Sequence, residues 1–204
     1  MIRRITFFQI ITGYLILTLG ISLIILSRLG AGAWDTVYVG LFNKFGLTIG
    51  TWSFLVTASL VFFNALLTWE KPQFKSFIGT ILASLGIDFW MELVFRNTVI
   101  TQVPLQILAF TIGIILLGLG VAIYIRPKLF SGPIDGLMLA TSKRLNISIK
   151  NARILNEFLA LAIGFLLGGP VGLGTLLVAI FLGYTIQYGT LLLNRLKDKG
   201  LKII

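Results

Sequence analysis

The chain has 204 residues, 57% of them hydrophobic and 12% charged, with a mean hydropathy of +0.99. A soluble domain carries about 25% charged residues, so this composition lacks the polar surface to cover a water-soluble globule and specifies an all-α polytopic membrane protein. The absence of histidine and cysteine excludes the usual zinc ligands, disulfides, thiol catalysis and iron–sulfur ligation.

Taken in chain order, stretches without acidic or basic side chains mark the spans. Residues 5–27, 45–69, 97–125 and 158–194 carry none, and about 20 apolar residues suffice to cross the hydrocarbon core. The first helix is expected near 5–27. Its apolar run exceeds the length of a signal-peptide core, so it reads as a retained helix. A short segment follows at 33–45, then helices at 48–69 and 76–95, the latter apolar apart from Asp88 and Glu92. The next span is expected at 104–125, a second short segment at 133–145, and two further spans at 148–168 and 171–194. Gly168-Gly169-Pro170 breaks the last long stretch in two. Both short segments have only about a dozen residues, which suits a re-entrant or interfacial helix.

The formal charge of +10 would suit nucleic acid, but its placement assigns it to topology. With both termini inside, the cytoplasmic side holds Arg3, Arg4, Lys71, Lys75, Arg126, Lys128, Lys143, Arg144, Lys150, Arg153, Arg195, Lys197, Lys199 and Lys202. The outside keeps Arg28, Lys44 and Arg96, a positive-inside bias of fourteen to three. The bilayer is the expected partner. No nucleic-acid role is supported, and the sequence sets no oligomeric state.

A shift of 100 residues lays 13–49 on 113–149 without a gap, with nine of 37 positions identical. Gly13, Gly20, Gly32 and Asp35 fall on Gly113, Gly120, Gly132 and Asp135. Arg28 faces Lys128, and Lys44 faces Arg144. After a five-residue shortening in the next loop, Gly79-Thr80 falls on Gly174-Thr175. The expected fold is therefore a single transmembrane domain of six helices in two three-helix repeats, 5–95 and 104–194, each with one short segment. An odd number of crossings per repeat inverts the second relative to the first, a frequent plan of secondary transporters.

Leu29-Gly-Ala-Gly-Ala-Trp-Asp35, Leu47-Thr-Ile-Gly-Thr51, Ser131-Gly-Pro-Ile-Asp-Gly-Leu-Met138 and Gly168-Gly-Pro-Val-Gly-Leu-Gly-Thr175 resemble the bacterial YczE/YitT-type membrane proteins over nearly the whole chain. Members read Gly-Pro-x-Asp in the first motif. Ala33 replaces that proline here, while Pro133 keeps it in the second copy. The resemblance implies a multi-pass protein of the bacterial cytoplasmic membrane, with some members linked to the production or export of secondary metabolites.

Asp35 and Asp135 each stand three residues after a glycine, at the start of a short helix. One reading is structural, with Gly132 as N-cap, Pro133 first and an acid in the first turn, where the helix dipole favours it. The other places both aspartates, with Trp34, at a cavity between the repeats, binding a solute and a coupling cation or proton. Asp88 lies deep in its span without a neighbouring cation and is the strongest candidate for a buried functional carboxylate. Glu92, four residues on, is expected on the same face. Arg153 and Glu157 read as a local i,i+4 pair. Gln9, Asn64 and Gln187 are expected to hydrogen-bond between helices, and Gly79, Gly86, Gly164, Gly168 and Gly183 to permit close packing. Trp52, Trp69 and Trp90 suit interfacial anchoring, as does Trp34.

A protease dyad needs carboxylates a few ångströms apart, which loops starting on opposite faces disfavour. No nucleophile–base pair, metal set, cofactor motif or nucleotide-binding motif is visible, so an enzyme is not expected. A small secondary transporter or exporter is the leading expectation. An accessory protein supporting a membrane assembly or secondary-metabolite production is the alternative.

Overall fold

The computed structural model describes residues 2–127 and 132–198. Ser131, Lys128, Lys199 and Lys202 lie outside the described residues, as do the side chains of Arg3, Arg4 and Lys197. Among the described residues the secondary structure is entirely helical: α1 (Ile2–Ser27), α2 (Ala33–Phe45), α3 (Ile49–Thr68), α4 (Ser76–Asp88), α5 (Val103–Tyr124), α6 (Pro133–Leu145), α7 (Ile149–Leu166) and α8 (Leu173–Asp198).

Five stretches are long and apolar enough to cross a membrane: Phe7–Ser27, Ile49–Thr68, Ser76–Val94, Val103–Tyr124 and Leu173–Leu196. The remaining expected span, α7, is helical over 18 residues but carries Lys150, Arg153 and Glu157. Burial is arranged as for a lipid solvent. Thr18, Ser22, Ser27 and Thr36 are 0% exposed, while Leu166 and Leu173 are 80% exposed. Small and hydroxylic residues let helices approach; the hydroxyls of Thr18, Ser27 and Thr36 return to their own helix, Thr18 Oγ1 donating to Tyr14 O at 2.8 Å, while Ser22 Oγ is buried without a partner.

Local structure follows the 100-residue register. Both short helices are 13 residues long, with Asp35 and Asp135 in their first turns. Gly132 is the N-cap of α6 and Pro133 follows it, since proline gives up a donor that the first turn leaves unused. The chain leaves α2 and α6 through left-handed residues, Gly46 at φ 74° and Asn146 at φ 52°. Thr48 Oγ1 then caps α3 by accepting from Thr51 N at 3.0 Å, and Ser148 Oγ caps α7 by accepting from Asn151 N at 3.2 Å.

The register breaks at one place. Beyond Asp88 the helix widens into a π-helical turn, Phe89–Val94, where Phe95 N donates to Trp90 O at 2.8 Å. The i,i+4 spacing that would stack Glu92 on Asp88 belongs to an α-helix and does not hold through this turn.

The chain divides into two compact units, and neither is one repeat. The first holds α1, the π-helical turn, α5 and α8. Here α1 and α5 run antiparallel in backbone contact. A Cβ at Gly13 would lie 3.1 Å from Gly120 O, and one at Gly20 would lie 2.7 Å from Gly113 O. The contact is reciprocal, because Gly13 and Gly20 correspond to Gly113 and Gly120. Trp90 Nε1 donates to Leu15 O at 3.0 Å, and Arg126 ties α5 to α8 through Asn194 Oδ1 at 2.6 Å.

The second unit holds α2, α3, α4, α6 and α7. Its pairing is crossed, since α2 of the first repeat packs on α7 of the second, and α3 on α6. Of the glycines expected to allow packing, Gly164 does so: a Cβ there would fall on Thr36 of α2. Gly79 and Gly86 are buried on α4. Gly183 faces open space, and Gly168, at φ 78°, serves a turn.

Candidate functional site

All four residues singled out from the sequence, Trp34, Asp35, Asp88 and Asp135, lie on the second unit, and each is half-buried.

Asp88, at the last turn of α4, reaches the start of α3. Its Oδ1 accepts from Gly50 N at 2.8 Å and its Oδ2 from Thr48 Oγ1 at 2.8 Å. Helix N-termini carry unpaired donors and a partial positive charge, so this carboxylate is a tether between α4 and α3. Gly50 leaves room for it, because a Cβ there would lie 2.5 Å from Asp88 Cγ. Replacing Asp88 by alanine strands these donors and should cost about 2–3 kcal/mol, with asparagine, which still offers one acceptor, costing about half of that. Reversible unfolding in mixed micelles measures both.

Asp35 and Asp135 stand on the first turns of α2 and α6. The group that relates them is Glu157 of α7, half-buried beside the buried Asn156. The Glu157 carboxylate feels the charges of Arg153 and Asp135. It also acts on Tyr38, which feels Asp35 as well and hydrogen-bonds Ser53 of α3. The local pair with Arg153 is therefore only part of its surroundings, and no salt bridge joins the two. A stripe at four-residue spacing, Ala152, Asn156, Ala160 and Gly164, is buried along α7. It was legible as the packing face, and it places Glu157 beside that face. Asn156 Oδ1 accepts from Thr141 Oγ1 of α6 at 3.2 Å, and its Nδ2 is buried without a partner. The Trp34 Nε1 is likewise buried and unpartnered. Among the described residues, no set of three or more acidic side chains is placed to hold a metal ion.

A cleft of about 100 Å³ opens between α3 and α6. Val61, Asn64, Ala65 and Thr68 of α3 and Pro133, Gly136, Leu139 and Ala140 of α6 form its walls. Glu70, Lys71, Gln73, Ser76 and Lys143 complete it, and Lys143 is ion-paired with Glu70 across α6 and the end of α3. None of the four sequence candidates lines it. Asn64 joins its walls, as expected of an interhelical polar residue, with Nδ2 donating to Pro133 O at 2.8 Å. That bond orients the amide, since a carbonyl only accepts. Oδ1 is left buried and without a partner, a state that costs about 1–3 kcal/mol when nothing fills it.

The repeat-equivalent place, between α7 and α2, is closed. In the shared register Asn64 corresponds to Gly164, and Gly136 to Thr36. A Cβ on Gly164 would lie 2.0 Å from Thr36 Oγ1, and one on Gly40 would lie 2.7 Å from Leu167 Cβ. Thr36 Oγ1 donates to Ala33 O at 2.6 Å, the carbonyl equivalent to that of Pro133. One carbonyl position is thus served by a local hydroxyl in the packed pair and by a cross-helix amide in the open one.

Long apolar helices with lipid-like outer faces, glycine-mediated crossings and a cleft lined by both repeats define a multi-pass integral membrane protein. The family model described as "Family of unknown function (DUF6198)" matches residues 2–190, and the chain belongs to that family. It is 32% identical over 189 residues to the Bacillus subtilis "Uncharacterized membrane protein YczE", covering 92% of this chain and 86% of the relative. This supports the YczE side of the resemblance. It is also 40% identical over 165 residues to the "Uncharacterized protein YyaS" of the same organism, covering 81% and 82% of the two chains. An "Uncharacterized protein" of Haemophilus influenzae is 34% identical over 185 residues, covering 89% and 81%. No solved structure matches.

Proposed function

We propose that this chain is a small secondary transporter of the cell membrane, built from two inverted three-helix repeats with both termini in the cytoplasm. The observation that carries the reading is the antiparallel, reciprocal contact of α1 with α5. Corresponding helices of the two repeats run in opposite directions, as inversion requires, and inverted repeats with substrate sites at the repeat interface are a recurrent transporter plan. The crossed pairs α2–α7 and α3–α6 support it, because each repeat supplies a short helix to the other's long one. In this topology α7 is the sixth span, with Glu157 half-buried and Lys150 and Arg153 exposed on its first turns, where the positive-inside rule puts cations at the cytoplasmic end.

One pair is packed and its counterpart is open, as alternating access demands of any single state. The cleft between α3 and α6 faces the cytoplasm, and the α2–α7 pair is the closed outer side. Glu157, half-buried on α7 and coupled through its charge to Asp135 and Tyr38, is the candidate for a coupling proton. Metabolite profiling of a deletion strain should show accumulation or depletion of a small solute. That solute should then cross proteoliposomes containing the purified protein and not protein-free ones. A cellular phenotype with no flux of any altered metabolite would refute transport and favour the accessory role.

A further inference from the structure

Gln187 is expected to hydrogen-bond between helices, yet its amide makes no hydrogen bond among the described residues, and it stands exposed on α8. The position is deep. Within the span Leu173–Leu196 it lies about 21 Å from one end and about 14 Å from the other, inside a hydrocarbon core about 30 Å thick. Lipid tails offer an amide no partner there, and leaving it unanswered is costly. Exposed hydroxyls of other spans avoid this by bonding their own helix, as Ser59 does to Val56 O and Thr111 to Ile107 O. One turn before Gln187, on the same face, Gly183 is exposed, and nothing in the chain lies within 4 Å of a Cβ there. This face points away from α5. The contact with α5 runs through Thr185, whose Cβ lies 2.4 Å from a Cβ on Gly118, and through Gly189, where a Cβ would lie 3.1 Å from Ala122 Cβ. Leu176, Ile180 and Leu191, all exposed, continue the outer face at helical spacing.

We infer that a second copy of this chain covers this face, in a parallel dimer in which each Gln187 Nε2 donates to the partner's Gln187 Oε1. Every copy takes the orientation set by the fourteen-to-three cation bias. Two α8 helices therefore meet parallel, and equal residues meet at equal depth across a two-fold axis. Such a contact needs a self-complementary group at the axis. A carboxamide is one, since it both donates and accepts, whereas a carboxylate only accepts and an ammonium only donates. Gly183 lets the two backbones approach closely enough for the amides to meet. The dimer is independent of the transport reading.

Single cysteines in this cysteine-free chain test the face. In native membranes an oxidant should join Leu191→Cys proteins into a disulfide-linked dimer. Leu192→Cys, also exposed but turned about 100° around the helix, should stay monomeric. Energy transfer between donor- and acceptor-labelled copies of the full-length protein, in vesicles of phosphatidylcholine and phosphatidylglycerol, then measures the affinity. Gln187→Leu should weaken association about tenfold, and Gln187→Asn, which keeps the amide, should stay within about threefold of the wild type. Gly183→Leu should abolish association, and Gly183→Ala, still small, should largely preserve it. Neither side chain has a partner in its own chain, so the variants should keep the fold. Energy transfer no higher than random mixing gives, equal cross-linking at positions 191 and 192, or unchanged affinity of Gln187→Leu overturns the inference. So does a cross-link from Leu191→Cys to a different protein and not to a second copy, which would give the face to another partner.

Discussion

Gly20→Ala should destabilise the protein by about 3 kcal/mol, the upper end of the overpacking range. The added methyl would fall 2.4 Å from Leu117 N, 2.7 Å from Gly113 O and 2.9 Å from Leu117 Cα. All three are backbone atoms, so no side chain can swing away and α1 must separate from α5. Gly120→Ala should do the same, since its methyl would meet Leu17 N at 2.4 Å and Leu17 Cα at 2.6 Å. Because one separation relieves both clashes, the double variant should cost less than the sum of the two. Gly183→Ala is the control. Nothing lies within 4 Å of a Cβ there, and its effect should stay within about 0.5 kcal/mol. Unfolding of the four proteins in mixed micelles checks this. Equal stability of the Gly20 and Gly183 variants would mean that α1 and α5 do not pack through their glycines.

The second large effect is expected on flux. Asn64→Gly combined with Gly136→Thr rebuilds the α3–α6 pair as a copy of the closed α2–α7 pair. The introduced threonine can donate to Pro133 O as Thr36 donates to Ala33 O, so the carbonyl freed by losing Asn64 keeps a donor. The glycine removes the side chain that holds the helices apart, and the protein should stay folded. With the cytoplasmic side closed like its counterpart, transport should fall at least about tenfold, a barrier increase of about 1.4 kcal/mol. The physiological solute found by metabolite profiling serves as the probe. Wild-type flux in a folded double variant would show that the cleft is not on the transport path.

Most of the local structure was legible in the sequence. The shift of 100 residues marked both short helices, and the caps at Gly132, Thr48 and Ser148 follow from residue types with known terminal preferences. What sequence reading missed depends on contacts far apart in the chain. Asp88 lacks a neighbouring cation, which made it look like an unpaired buried acid. Its partners are the helix start at Thr48 and Gly50, some 40 residues earlier. Glu157 and Arg153 looked sufficient to each other at i,i+4, and only the packing of α7 couples the Glu157 charge to Asp135 and Tyr38. The π-helical turn after Asp88 has no sequence signal at the level of single residue types. The cleft was half visible. Asn64 opposite Gly164 and Gly136 opposite Thr36 can be read from the register, but their consequence needs the crossed pairing of α3 with α6.

The transport reading stands on inversion of the two repeats, and cysteine labelling tests it directly in this cysteine-free chain. Lys44→Cys and Arg144→Cys occupy equivalent, exposed positions at the ends of α2 and α6. In intact cells a membrane-impermeant maleimide should modify the Lys44→Cys protein and should reach the Arg144→Cys protein only after the membrane is opened. Modification of both variants from the same side would contradict the inverted repeat, and with it the proposed transporter.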